Sequence, residues 1–162
     1  MIRSLQEFAA YNLWANERFV RRFEQEEEEA VLDHPAPGSF PSVRATLLHI
    51  RDAENAWWCR LNGVPAPWPA HASGDIGTLL PCSRKLVAFV NELTTERAEQ
   101  VQAYHDLRGN AHEQTAWRML LHCFNHSTQH RGQLITMMRV LQLDMIPAND
   151  LVRYQREHRV DH

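Results

Sequence analysis

The sequence predicts an all-α protein, a four-helix bundle with a short extra helix near its C-terminus. Two observations carry that reading. Apolar residues recur at three- and four-residue steps over four long stretches joined by short connections, and each stretch draws one face of a helix. The 162 residues, 44% of them apolar and 23% charged, are read as a single domain over 1–162. A chain of that size buries roughly 70% of its unfolded surface, enough for a core without disulfide staples.

Ser4 followed by Glu7 reads as a capping box opening the first helix. Leu5, Phe8, Ala9, Asn12, Leu13, Asn16, Phe19, Val20 and Phe23 form its inner stripe. Asn12 and Asn16 interrupt that stripe with amides that need partners. They either satisfy a neighbouring backbone group or water, or line a pocket. Glu26 to Glu29 reads as a solvated helix end or loop.

After the loop His34-Pro35-Ala36-Pro37-Gly38, a second helix begins near Pro41-Ser42 and runs to about Leu61. Val43, Leu47, Ile50, Trp57, Trp58 and Leu61 supply its apolar face. Gly63 lies near its C-terminal cap, and Pro65 and Pro67 block continuation. Residues 64–77 form a Pro/Gly-rich connection. Thr78 caps a third helix with Pro81 in its first turn, and Leu79, Leu86, Phe89, Val90 and Leu93 mark its core side. Val101 to Gln114 reads as a loop or small hairpin turning at Gly109-Asn110. Thr115 caps a long fourth helix to about Leu143, Pro147 ends the connection that follows, and Asp150 to Glu157 forms the short final helix.

The charge pattern excludes some functions. Net charge is −3, Lys85 is the sole lysine, and no basic stripe is present, so no grip on nucleic-acid phosphates is expected. No apolar run reaches bilayer-spanning length, and Arg3, Glu7, Glu17 and Arg18 interrupt any signal-peptide core. A cytoplasmic protein without membrane contact is expected. Cys59, Cys82 and Cys123 form no CxxC pair and read as reduced, buried thiols.

Histidine is the anomaly. Ten are present, and random placement would give about 0.6 pairs at i,i+4 spacing. The chain has three: His122–His126, His126–His130 and His158–His162. Residues four apart share a helix face, close enough for two imidazoles to bind one ion. Residues eight apart are about 12 Å apart along the axis, so His122 and His130 cannot serve the same ion. Either 122/126 or 126/130 is the chelating pair, and a third ligand comes from another helix. His49, in the apolar run Leu47-Leu48-His49-Ile50, is the candidate, because a histidine there is costly without a partner. His34, His71, His105 and His112 fall in or near loops and read as solvated, and the pair His158–His162 reads as a frayed tail.

The stretch Leu120 to Leu134 contains His126-Ser127-Thr128-Gln129-His130-Arg131-Gly132-Gln133. It resembles the HxxxHRGQ signature of the DinB-like (damage-inducible, YfiT-related) proteins, regarded as metal-dependent enzymes and distinct from the polymerase of that name. Asn12-Leu13-Trp14-Ala15-Asn16 is similar to the family's first-helix motif. Ser39-Phe40-Pro41-Ser42, leading to His49 and Trp57-Trp58, resembles its second helix, and Asp144-Met145-Ile146-Pro147 with Asp150-Leu151 its closing segment. The resemblance implies a metal held by His49, His126 and His130, with His122 beside it in a packing or hydrogen-bonding role. It also implies a homodimer, in keeping with five tryptophans on a chain this small.

Three neutral imidazoles leave an ion its full dipositive charge and an open face, as in catalytic sites. Imidazole suits zinc, nickel, iron or copper, and excludes calcium and magnesium, which want oxygen. One divalent transition metal per chain, zinc, nickel or iron, is expected. Ser127 stands where an HExxH peptidase has its glutamate, and no Ser-His-Asp order, phosphate loop or dinucleotide fingerprint is present. Asn12, Asn16, Arg131 and Gln133 are the substrate-pocket candidates. Arg131 would bind an anionic substrate group or pair with Asp150 or Asp144, Gln133 would orient a ligand or water, and Gly132 would permit close helix approach. The expected function is a metal-dependent hydrolase or a transferase using a low-molecular-weight thiol. The thiol option comes from the broader superfamily that the fold resembles. The alternative is a non-catalytic metal-binding stress or interaction protein.

Overall fold

The structure, a computed structural model, describes residues 1–25 and 29–158. Most of the acidic run and His162 therefore lie outside the described residues. Helix α1 spans Ile2–Glu24, α2 Val43–Leu61, α3 Leu79–Asn91, α4 Thr95–Glu99, α5 Ala116–Val140 and α6 Leu151–Glu157. Strands β1 (Val101–His105) and β2 (Ala111–Thr115) make an antiparallel hairpin between α4 and α5, pairing Val101 with Thr115 and His105 with Ala111. Among the described residues the protein is mostly helical with this one small sheet. No helix among the described residues is long and apolar enough to cross a membrane.

Several ends differ from the sequence reading. Helix α1 starts before the Ser4–Glu7 box, with Met1 at its N-cap, and the Glu7 carboxylate instead accepts from Gln155 Nε2 of α6 at 2.8 Å. Thr78 makes no cap bond. A 3-10 turn, Ile76–Thr78, precedes α3, and Asp75 caps it by accepting from the Gly77 amide at 2.8 Å. Thr115 likewise makes no cap bond, because it still pairs with Val101 as the last residue of β2. Helix α5 stops at Val140 rather than Leu143. Gln142 turns left-handed (φ 55°), and the Leu143 amide donates back to the Met138 carbonyl at 2.9 Å. No glycine announces that stop. Helix α4 was not anticipated. Thr94 opens it, its hydroxyl accepting from the Arg97 amide. Ser42 does cap α2, and Gly63 follows it with φ 64°, a left-handed value glycine adopts without strain.

Helices α1 and α2 each pack against both α3 and α5. Two apolar clusters result. One gathers Leu5, Ala9, Leu61, Leu86, Phe89, Val90, Met119, Leu120 and Phe124. The other gathers Phe19, Val20, Phe23, Val43, Leu47, Ile50, Leu79, Leu134 and Met137. Between them all four helices present polar side chains: Asn12 and Asn16 from α1, Glu54 from α2, Ser83 from α3, Ser127 and Arg131 from α5, all buried.

Gly132 does not mediate helix contact: a Cβ built there meets nothing within 4 Å. Its helical backbone gains no packing from lacking a side chain and loses conformational entropy on folding. Gly132→Ala is expected to raise the unfolding free energy by about 0.5–1 kcal/mol, read from the denaturant midpoint.

Candidate metal centre

His126 and His130 lie one turn apart on α5, and α2 brings His49 against them. His126 Nε2 is 3.1 Å from His49 Nε2 and 3.1 Å from His130 Nε2. Ligand atoms of all three fall within 4.8 Å of one another, so the group is compatible with holding a metal ion. Zinc–nitrogen bonds near 2.0–2.1 Å at tetrahedral angles set ligand nitrogens about 3.3–3.4 Å apart, close to the spacing found.

The donor set also fits a cation. A neutral imidazole nitrogen carries either a proton or a lone pair. Gln133 Nε2 donates to Ser39 Oγ at 2.8 Å, which turns its carbonyl oxygen to accept from His130 Nδ1 at 3.1 Å. With the His130 proton on Nδ1, its Nε2 lone pair faces the cluster. An outer partner that sets the tautomer is the usual support of a histidine ligand. Gln133 thus fixes the orientation of the His130 ring.

Burial pushes the His49 imidazole down to about 4, with positive charge on His130 adding to the effect and Asp52 opposing it. His126 falls to about 3 through burial first, then charge on His130, His49 and His122. Both groups bind fewer protons folded than unfolded, where the value is 6.5. The stability that depends on their neutrality is therefore complete above pH 6.5 and lost as pH falls toward 4 and then 3. In metal-free protein the denaturation midpoint should fall across that window, and a His126→Leu variant should show a shallower fall.

Phe40 stacks on His49 with ring centroids 4.0 Å apart, and Trp68 stands steeply inclined to His49 at 5.8 Å. His122 is exposed. It packs on Trp57 at 4.9 Å, with its ring centroid 6.1 Å from His126. His34, His71, His105 and His112 are all exposed. His158 stacks on Tyr154 at 4.3 Å. The three cysteines are buried and unpaired, and burial raises each thiol, that of Cys82 to about 11.

The other three pocket candidates turn inward. Arg131, 0% exposed, donates from one terminal nitrogen to Asn12 Oδ1 at 2.7 Å and Asn16 Oδ1 at 2.8 Å. Its other terminal nitrogen donates to Thr128 Oγ1 at 2.9 Å. The two asparagine amides donate onward to Glu54 Oε1 at 2.7 and 2.9 Å. Ser127 Oγ donates to the same oxygen at 3.0 Å, and Ser83 Oγ to Oε2 at 2.6 Å. Arg131 therefore pairs with neither Asp144 nor Asp150: its charge is matched by Glu54 through two bridging amides. Asn12 and Asn16 find side-chain partners on the other three helices. Glu54 went unnoticed in the sequence. Its signal was there, since it falls on the α2 stripe between Ile50 and Trp57, where an acid needs a buried partner.

A mostly helical protein carrying a three-histidine cluster on two helices is the class these observations define. The chain belongs to the DinB family, whose model matches residues 1–157. No curated protein matches the chain in sequence.

Proposed function

We propose that the chain is a metal-dependent enzyme on a four-helix bundle of the DinB/YfiT-like type, a hydrolase or a transferase of small thiols. It holds one divalent transition ion, zinc, nickel or iron, on His49, His126 and His130. The observation that carries this reading is the convergence of three Nε2 atoms with 3.1 Å contacts from two separate helices. A dipositive ion with three neutral ligands supplies Lewis acidity and favours the deprotonated form of water or thiol. The chain's own residues hold and orient. His130 is aligned by Gln133, and His49 is steadied by the Phe40 ring. His49 and His126 keep partial solvent access, which leaves a small molecule a route to the cluster.

Cobalt substitution tests the proposal. Added thiol should change the visible spectrum of the cobalt protein. An unchanged spectrum, with no exchangeable water on the ion, would mean a closed site that merely braces helices, and the enzyme reading falls. The protein is also proposed to pair as a homodimer, as the family resemblance implies. Light scattering should then give about twice the 18.9 kDa chain mass.

A further inference from the structure

Trp68 is 42% exposed, yet the loop that carries it is tightly held. Pro65, Pro67 and Pro69 alternate with Ala66 and Trp68, restricting φ at every second residue. Just beyond, the backbone is fastened to α2. The Ala70 amide donates to Asp52 Oδ1 at 2.9 Å, and Arg51 donates to the carbonyls of His71 and Ser73 at 3.1 and 2.8 Å. Arg51 and Asp52 are 2% and 7% exposed and follow His49 by two and three residues. The turn of α2 that presents His49 therefore also anchors the loop that sets Trp68 beside it, ring centroids 5.8 Å apart. Phe40 is engaged in packing on His49 and His130. Trp68 instead keeps much of its indole open to solvent. A large apolar ring held rigid at the mouth of a polar cluster offers a contact surface at small entropic cost.

We propose that Trp68 determines which ligands the metal centre accepts: its indole forms an apolar wall, so the site selects thiols with an aromatic or otherwise apolar body over thiols with a charged one. The inference rests on the open metal site proposed above. On binding, the S–H proton would leave to solvent, the sulfur would join an ion held by His49, His126 and His130, and the body would lie against the indole. No group is transferred.

The test titrates the cobalt-substituted full chain with benzyl mercaptan and with 2-mercaptoethanesulfonate, reading the visible absorption. Benzyl mercaptan should bind more tightly. Trp68→Ala should weaken it about tenfold while leaving 2-mercaptoethanesulfonate unchanged. Trp68→Phe should restore most of the loss. If Trp68→Ala does not fold or hold cobalt, Trp68→Gln carries the same comparison. Equal weakening of both thiols, or no weakening of either, overturns the selectivity alone. Absence of a spectral response to any thiol overturns both this inference and the open site it rests on.

Discussion

Glu54→Ala and Arg131→Ala are each expected to lower the unfolding free energy by about 3–5 kcal/mol, a large part of the 5–15 kcal/mol typical of a domain. Glu54 is 0% exposed and accepts from Asn12, Asn16, Ser83 and Ser127, while both asparagine carbonyls accept from Arg131. Removing the carboxylate leaves the guanidinium charge buried with only neutral partners and takes the shared acceptor from four donors. Removing the guanidinium leaves the carboxylate hydrogen-bonded but without a counter-charge, and strands the Asn12 and Asn16 carbonyls. Breaking a buried pair from one side costs far more than replacing both sides. The double variant Glu54→Leu with Arg131→Met should therefore recover the part of the loss that comes from the uncompensated charge, though not the part from Asn12, Asn16, Ser83 and Ser127, and denaturant midpoints measure all of these. A loss below about 1 kcal/mol in both single variants would show that the charges are not coupled.

His126→Ala should remove the ion altogether, and His122→Ala should leave most of it. His126 Nε2 touches the ligand nitrogens of both other histidines, so its loss leaves two nitrogens on different helices with nothing between them. The His122 ring centroid is 6.1 Å from that of His126, and its packing is against Trp57. Gln133→Leu, which frees the His130 ring, should weaken binding by about 10–100-fold, and His126→Ala by more. Metal per chain after dialysis separates the cases. Equal loss in His122→Ala and His126→Ala would sink the assignment of ligands.

The helical stripes of α1, α2, α3 and α5 were legible because their periodicity comes from burial, and burial decides where these helices pack. Helix ends were harder to read. Ser4 and Thr115 have cap chemistry, but the chain continues as helix before one and as strand before the other. Gln142 ends α5 in a left-handed conformation that glycine or asparagine would signal and glutamine does not. At the three-histidine cluster, spacing alone left two histidine pairs open, because a helix offers His122 and His130 to His126 equally. Which of them meets His49 depends on the angle and register between α2 and α5, a tertiary quantity. Arg131 was misread for a related reason. A charged residue beside a histidine pair reads as a substrate anchor or as a partner of Asp144 or Asp150 until Asn12 and Asn16 appear on a helix more than a hundred positions away.

The polar layer between the two apolar clusters has a consequence for how the ion arrives. Apolar stripes tolerate sliding, since one leucine replaces another along a seam. A carboxylate that must meet two asparagines and two serines from three other helices, with a guanidinium beyond the asparagines, does not. Sliding α2 by one turn against α5 would bury Glu54 and Arg131 among hydrocarbon, so the alignment that sets His49 opposite His126 is enforced by the interior before any metal is present. The free energy of ion capture is then not consumed in folding the chain, unlike small metal-organised domains that are unfolded when empty. The empty protein should be a folded, competent receptor, able to exchange one metal for another without passing through an unfolded state.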